Sequence, residues 1–150
     1  MIKKVAILAN GGDVAGFNAV IRGIVKTAEN SDVECYGFID GYNGLLKNEY
    51  VKLSTAEEEN AEGILPKGGS IIGSSTNANV FNYKVVKEDG TVEYQDLSDK
   101  CVQNIKNDGF DCVFTLGGDG TQKSARDFSL KGVNIIGVPK TIDNDVACTE

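Results

Sequence analysis

The sequence has no histidine, no tryptophan, two prolines and one methionine. Without histidine, a general base working near neutral pH has to be a carboxylate, a lysine or a cysteine. Cysteine offers no framework for a metal or for disulfides. Cys35, Cys101, Cys112 and Cys148 lack C-x-x-C spacing, no histidine can complete a zinc site, and no secretory signal is seen. These absences predict reduced thiols in a cytoplasmic protein, with Cys112 serving as a small apolar residue inside a strand. No apolar run approaches the length of a membrane span. Basic residues are also few: Lys and Arg number 15 against 22 carboxylates, which leaves a formal charge of −7. Nucleic acid and anionic lipid surfaces need the opposite balance, so neither is expected as a partner. An anionic substrate would need Mg²⁺ and a few well-placed cations to enter such a field.

What the chain does have is glycine, 18 in 150 residues, gathered where apolar runs end. The rest of the composition is that of one compact globular domain. The run Lys4 to Ala9 stops at Gly11-Gly12 and suits a buried parallel strand. From Asn18 to Glu29, Val20, Ile21, Ile24, Val25 and Ala28 fall at helical spacing. Val33 to Ile39 reads as a second strand, and Ser54-Thr55-Ala56-Glu57-Glu58 offers two overlapping capping boxes that predict a helix start. Residues 82–95 read as an inserted hairpin turning at Asp89-Gly90. A helix over 97–107, a strand over 112–116, a helix over 121–131 and a strand over 134–138 complete the alternation. The expected fold is α/β: a doubly wound parallel sheet, Rossmann-like and three-layered, with the small β-hairpin inserted.

Three loops then follow strands and belong at one edge of that sheet. In Asn10-Gly11-Gly12-Asp13, paired glycines let backbone approach a phosphate beside a helix N-terminus. A tight turn capped by Asp13 or Asn18 would use the same residues. In Gly117-Gly118-Asp119-Gly120-Thr121, Asp119 could bridge a metal to phosphate oxygens, Gly120 leaves room, and Thr121 could cap the helix or donate to a phosphate. In Pro139-Lys140-Thr141-Ile142-Asp143-Asn144-Asp145, an extended backbone would point Asp143 and Asp145 the same way. One could then accept a proton from a substrate hydroxyl, with Lys140 and Mg²⁺ keeping both ionised. A phosphate cradle, a metal carboxylate, a cation and a base are the parts that phosphoryl transfer needs.

These blocks, with Gly16-Phe17-Asn18-Ala19, Arg22-Gly23, Asp40-Gly41-Tyr42, Gly44-Leu45, Gly68-Gly69-Ser70 and Gly73-Ser74, resemble a phosphofructokinase in order and spacing across nearly the whole chain. The resemblance implies phosphorylation of fructose 6-phosphate to the 1,6-bisphosphate with Mg²⁺ and ATP or pyrophosphate, usually in a homo-oligomer. It makes Asp143 the base, Asp119 the Mg²⁺ ligand and Gly12 a backbone donor to phosphate. Gly118, Gly120 and Thr121 join Gly12 as the donor-phosphate cradle. Thr141 would touch the sugar phosphate or the transferring phosphoryl group, and Asp145 would support the site. Pyrophosphate users of the family typically carry aspartate where this chain has Gly120 and lysine at the place of Lys140. The pattern here is mixed, and Gly120 favours ATP because a carboxylate there would repel the α-phosphate.

Three positions depart from the family pattern. Ala15 replaces a common proline, Thr76 stands where many members have arginine, and the hairpin is additional; Lys67 or Lys140 could supply the missing charge. Family members are considerably longer, so residues 1–150 are expected to be an amino-terminal, donor-binding portion. Two other readings use the same turn. NAD and lipid kinases share a Gly-Gly-Asp-Gly-Thr loop but lack the Pro139 to Asp145 block, and a non-catalytic nucleotide-binding module would need no base.

Overall fold

The computed structural model describes residues 1–56, 61–76, 79–147 and 149. In chain order the strands are β1 (Lys4–Ala9), β2 (Glu34–Phe38), β3 (Tyr50–Leu53), β4 (Tyr83–Val86), β5 (Val92–Gln95), β6 (Cys112–Gly117) and β7 (Ile135–Pro139). The helices are α1 (Phe17–Glu29), α2 (Tyr42–Lys47), α3 (Ser98–Asn107) and α4 (Asp119–Leu130). β1 is apolar throughout its length because both of its faces are covered. Val5, Ile7 and Ala9 pack with Ile21 and Val25 of α1. Ala6 and Leu8 point the other way, into a cluster with Leu45 of α2, Val102 of α3 and Phe128 of α4. Helices on both faces of a central sheet make the three expected layers.

The sheet order is β3-β2-β1-β6-β7. β1 pairs in parallel with both β2 and β6, and β6 with β7. The order reverses at β1, which leaves a crevice beyond the carboxyl ends of β1 and β6. The edge strand β3 was not anticipated, and it runs antiparallel to β2. Residues 39–49 are too few for a crossover and instead turn back through the short α2, closed by Ile39 N–H donating to Glu49 O at 3.0 Å. β4 and β5 form the expected hairpin apart from the main sheet.

Local differences have local causes. Ser54 and Thr55 do not start a helix within the described residues. The Ser54 hydroxyl and the Thr55 N–H both donate to Glu29 Oε1 at 2.7 Å, while Glu57 and Glu58 lie outside the described residues. Neither Asp13 nor Asn18 caps α1. Its N-cap is Gly16, in the left-handed region at φ 83°, with no side-chain bond. Asn18 is buried and holds the loop after β3: its Nδ2 donates to the carbonyls of Lys67 and Gly68 at 3.0 and 3.1 Å, and its Oδ1 accepts from Ile71 N–H at 2.8 Å.

Cys35, Cys101 and Cys112 are buried free thiols, and burial pushes Cys35 and Cys101 up to about 12 and Cys112 upward. Cys148 lies outside the described residues.

Candidate active site

β6 ends against β1, and the turn that follows can be made only by glycine. A Cβ on Gly117 would stand 2.4 Å from Thr121 Oγ1 and 2.6 Å from the backbone oxygen of Asn10. The Gly117 carbonyl accepts from Gln122 Nε2 at 2.9 Å and from Lys140 N–H at 3.0 Å, so this turn is tied to α4 and to the end of β7. Gly118 is the N-cap of α4, without a side-chain bond. Thr121 therefore does not cap the helix; it is buried within the first turn, beside Gly117. The helix opens with amides that no helical carbonyl can reach, and its dipole adds partial positive charge there.

The three loops converge on one cleft of about 440 Å³. Gly12 enters from β1, and Gly118, Asp119, Gly120 and Thr121 enter from β6. Lys140, Thr141, Asp143 and Asp145 come from β7. Every site residue read from the sequence thus lines the same space. The last loop is not extended, however. Asn144 sits in the left-handed region at φ 53°, so the carboxylates reach the cleft through a turn. Thr141 organises that turn: its hydroxyl donates to Asp145 Oδ1 at 2.6 Å and accepts from Asp143 N–H at 3.1 Å.

Lys140 does not sit against Asp143 or Asp145. Its ammonium pairs with Asp13 of the first loop. Asp119 pairs with Lys123 at 2.6 Å, one turn along α4 and facing solvent. A Cβ on Gly120 would meet nothing within 4 Å, so packing does not require glycine there and the space opens to the cleft. Thr76 lines the cleft in the place assigned to the missing arginine, whereas Lys67 is not among its described lining residues and its carbonyl accepts from Asn18 Nδ2.

Asn10 and Tyr42 stood in the sequence motifs without a role, and the structure supplies one for each. Asn10 is buried at the end of β1; its Oδ1 accepts from Tyr42 N–H at 3.0 Å and its Nδ2 faces Thr115 Oγ1 at 3.4 Å. It thereby fixes the start of α2 against β6. Tyr42 forms part of the cleft wall and stacks at a tilt on Phe128, 5.9 Å between centroids. Burial pushes its hydroxyl up to about 12. The nearby Thr115 and Ser124 hydroxyls oppose that shift, although neither makes a geometrically complete bond. A polar residue closing an apolar strand was the available signal for Asn10; Tyr42 carried only its place in the Asp40-Gly41-Tyr42 block.

The Gly-Gly-Asp-Gly-Thr turn after β6 and the acidic loop after β7 line one cleft, and comparisons with known proteins give this arrangement a family. The phosphofructokinase family model matches residues 4–150. The chain belongs to the phosphofructokinase family. It is 50% identical over 150 residues to ATP-dependent 6-phosphofructokinase 2 of Clostridium perfringens, covering 99% of this chain and 40% of that protein. Against ATP-dependent 6-phosphofructokinase 3 of Bacteroides thetaiotaomicron it is 40% identical, covering 98% and 41% respectively. The chain therefore spans about two-fifths of the length of these relatives. Among solved structures, Pichia pastoris phosphofructokinase in the T-state superposes with a TM-score of 0.80 at 26% identity, over 100% of this chain and 16% of that one. A pyrophosphate-dependent phosphofructokinase from Marinobacter aquaeolei shares the fold, with a TM-score of 0.73 at 23% identity over 99% of this chain and 36% of that one. The phosphofructokinase fold accounts for the three layers and for the switch point that carries the cleft.

Proposed function

We propose that this chain forms the amino-terminal, donor-binding portion of an ATP-dependent 6-phosphofructokinase. In this reading it transfers the γ-phosphoryl group of ATP to the 1-hydroxyl of fructose 6-phosphate. The observation that carries the proposal is the convergence of the Gly117 to Thr121 turn and the Pro139 to Asp145 loop on one cleft. The Clostridium and Bacteroides relatives are ATP-dependent 6-phosphofructokinases, which supports ATP as donor.

The roles follow from chemistry at each position. Amides of Gly12 and of the Gly118 to Thr121 turn would receive donor phosphate oxygens, aided by the α4 dipole. Asp143 would take the proton of the attacking hydroxyl as its oxygen bonds to phosphorus and the bond to the leaving β-phosphate oxygen breaks. Thr141 and Asp145, bonded to each other, would hold Asp143 in place, with Thr141 also within the cleft to touch the phosphoryl or sugar-phosphate group. Lys140 would face the developing charge.

The fit to Mg²⁺ rests on the donor set. Asp13, Asp119, Asp143 and Asp145 line the cleft with Lys140 as the cation among the described lining residues. No group of three carboxylates or thiols gathers into a cage among the described residues. Mg²⁺ is commonly held by one or two carboxylates plus substrate phosphates, and Asp119 suits that role. The ion would neutralise donor charge in the cleft.

A second reading, pyrophosphate as donor, would gain from Lys140 at the cleft if its ammonium left Asp13. Calorimetry with Mg²⁺ and each donor, together with assays of fructose 6-phosphate turnover, tests both. Asp143→Ala is expected to retain donor affinity within about twofold while any turnover falls by 10²-fold or more, the range of a lost general base; loss of binding instead would remove Asp143 from the role of base. Assembly as a homo-oligomer in the cytoplasm belongs to the same proposal. No helix among the described residues is long and apolar enough to cross a membrane.

A further inference from the structure

The pair between Asp13 and Lys140 joins loops that the sheet holds apart. β6 lies between β1 and β7, so the contact reaches past the Gly117-Gly118 turn at the mouth of the cleft. Both partners are anchored. Lys140 N–H donates to Gly117 O at 3.0 Å, and Asp13 Oδ1 accepts from Ala15 N–H at 3.3 Å. The two side chains are only 25% and 31% exposed, so solvent screens the pair incompletely. Lys140 is also the cationic side chain that the described lining sets against four carboxylates. The charge most useful to an incoming phosphate is thus already engaged.

We propose that Asp13 is a donor-specificity residue acting through Lys140: by holding the ammonium against the β1 loop, it disfavours inorganic pyrophosphate relative to a nucleoside triphosphate. This rests on the reading of the cleft as a phosphoryl-donor site. Pyrophosphate concentrates its charge in two phosphoryl groups and has nothing else to bind with. ATP spreads its charge over three and adds a nucleoside, for which the open space at Gly120 leaves room. A free ammonium gains more from the denser anion, because Coulomb energy scales with the charge within reach. Pairing with Asp13 removes that advantage, and Lys140 then adds little to the choice of donor.

Calorimetric affinities of the chain for Mg²⁺-pyrophosphate and for Mg²⁺ with a non-hydrolysable ATP analogue provide the test. Asp13→Asn keeps the acceptor for Ala15 and removes the charge. It is expected to raise pyrophosphate affinity relative to the analogue about tenfold, equivalent to about 1.4 kcal/mol. Asp13→Glu should restore the original ratio, and in a Lys140→Met background Asp13→Asn should leave the ratio unmoved. Equal changes for both donors, or a shift that persists without Lys140, overturn the proposal and leave the donor site intact. A wild-type chain that binds neither donor overturns the donor-site reading itself, and this proposal with it. Should Asp13→Asn fail to fold, Lys140→Met alone decides: a pyrophosphate-to-analogue ratio unchanged within twofold supports a neutralised lysine, and a selective loss of pyrophosphate overturns it.

Discussion

Asn10 shows how a single side chain can assemble a site that it need not serve chemically. It satisfies the Tyr42 amide in a place where water cannot. Asn10→Ala leaves that buried donor unpaired, at an expected cost of about 1–3 kcal/mol, measurable by urea denaturation; an unchanged midpoint would show that α2 is held by packing alone. Glu29 carries the pH dependence. Burial raises its carboxyl, but hydrogen bonds from Thr55 and Ser54, with Lys26 nearby, outweigh this and hold it below its ordinary value of 4.5. A depressed carboxylate stabilises the fold above the ordinary value, and that stabilisation is lost as pH falls through the folded value. Glu29→Gln should therefore lower the melting temperature at pH 7 and do so by less at an acid pH below the ordinary value of 4.5. A difference of equal size at both pH values would exclude the linkage.

Elements make the loops meet. β6 delivers Gly117 against Asn10, and the first turn of α4 follows at once, so the cradle is the junction of a strand and a helix rather than a free loop. Gly117→Ala should force this junction open, destabilising the fold by roughly 1–3 kcal/mol and weakening donor affinity. Calorimetry beside denaturation separates the two effects, and unaltered donor affinity would argue that phosphate binds elsewhere. The four strands and three helices with long apolar periodicity were legible in sequence to within a residue or two, as were β4 and β5 from their Asp-Gly turn. β3 and α2 were not, because a four-residue edge strand and a six-residue helix carry too short a pattern to show a period. The capping boxes at Ser54 run on to Glu57 and Glu58, outside the described residues, while the Ser54 and Thr55 hydroxyls donate to Glu29, distant in sequence.

At the scale of the whole molecule, a chain of net charge −7 presents a cleft in whose described lining carboxylates outnumber the cation Lys140. In the proposed function, donor binding is expected to depend on the divalent ion. Mg²⁺ with ATP is expected to raise the melting temperature as binding shifts the folding equilibrium, by about 2.7 kcal/mol at a hundredfold excess over Kd, and chelation of the metal should abolish the gain. Stabilisation by ATP that survives chelation would remove Asp119 from metal binding. No histidine titrates in this fold, so between pH 6 and 8 this response should stay flat.

The amino-acid sequence alone determined the alternation of strands and helices, the edge at which the three loops gather and the loop residues that line the cleft, since periodicity and glycine position are local properties. Tertiary structure alone decided how those residues are engaged. Lys140 turns to Asp13 rather than to Asp143, Thr121 tucks beneath Gly117 instead of capping α4, and Asn144 bends the acidic loop that alternation would have drawn straight. Each outcome is a competition between partners far apart in sequence, settled by the order of strands in the sheet.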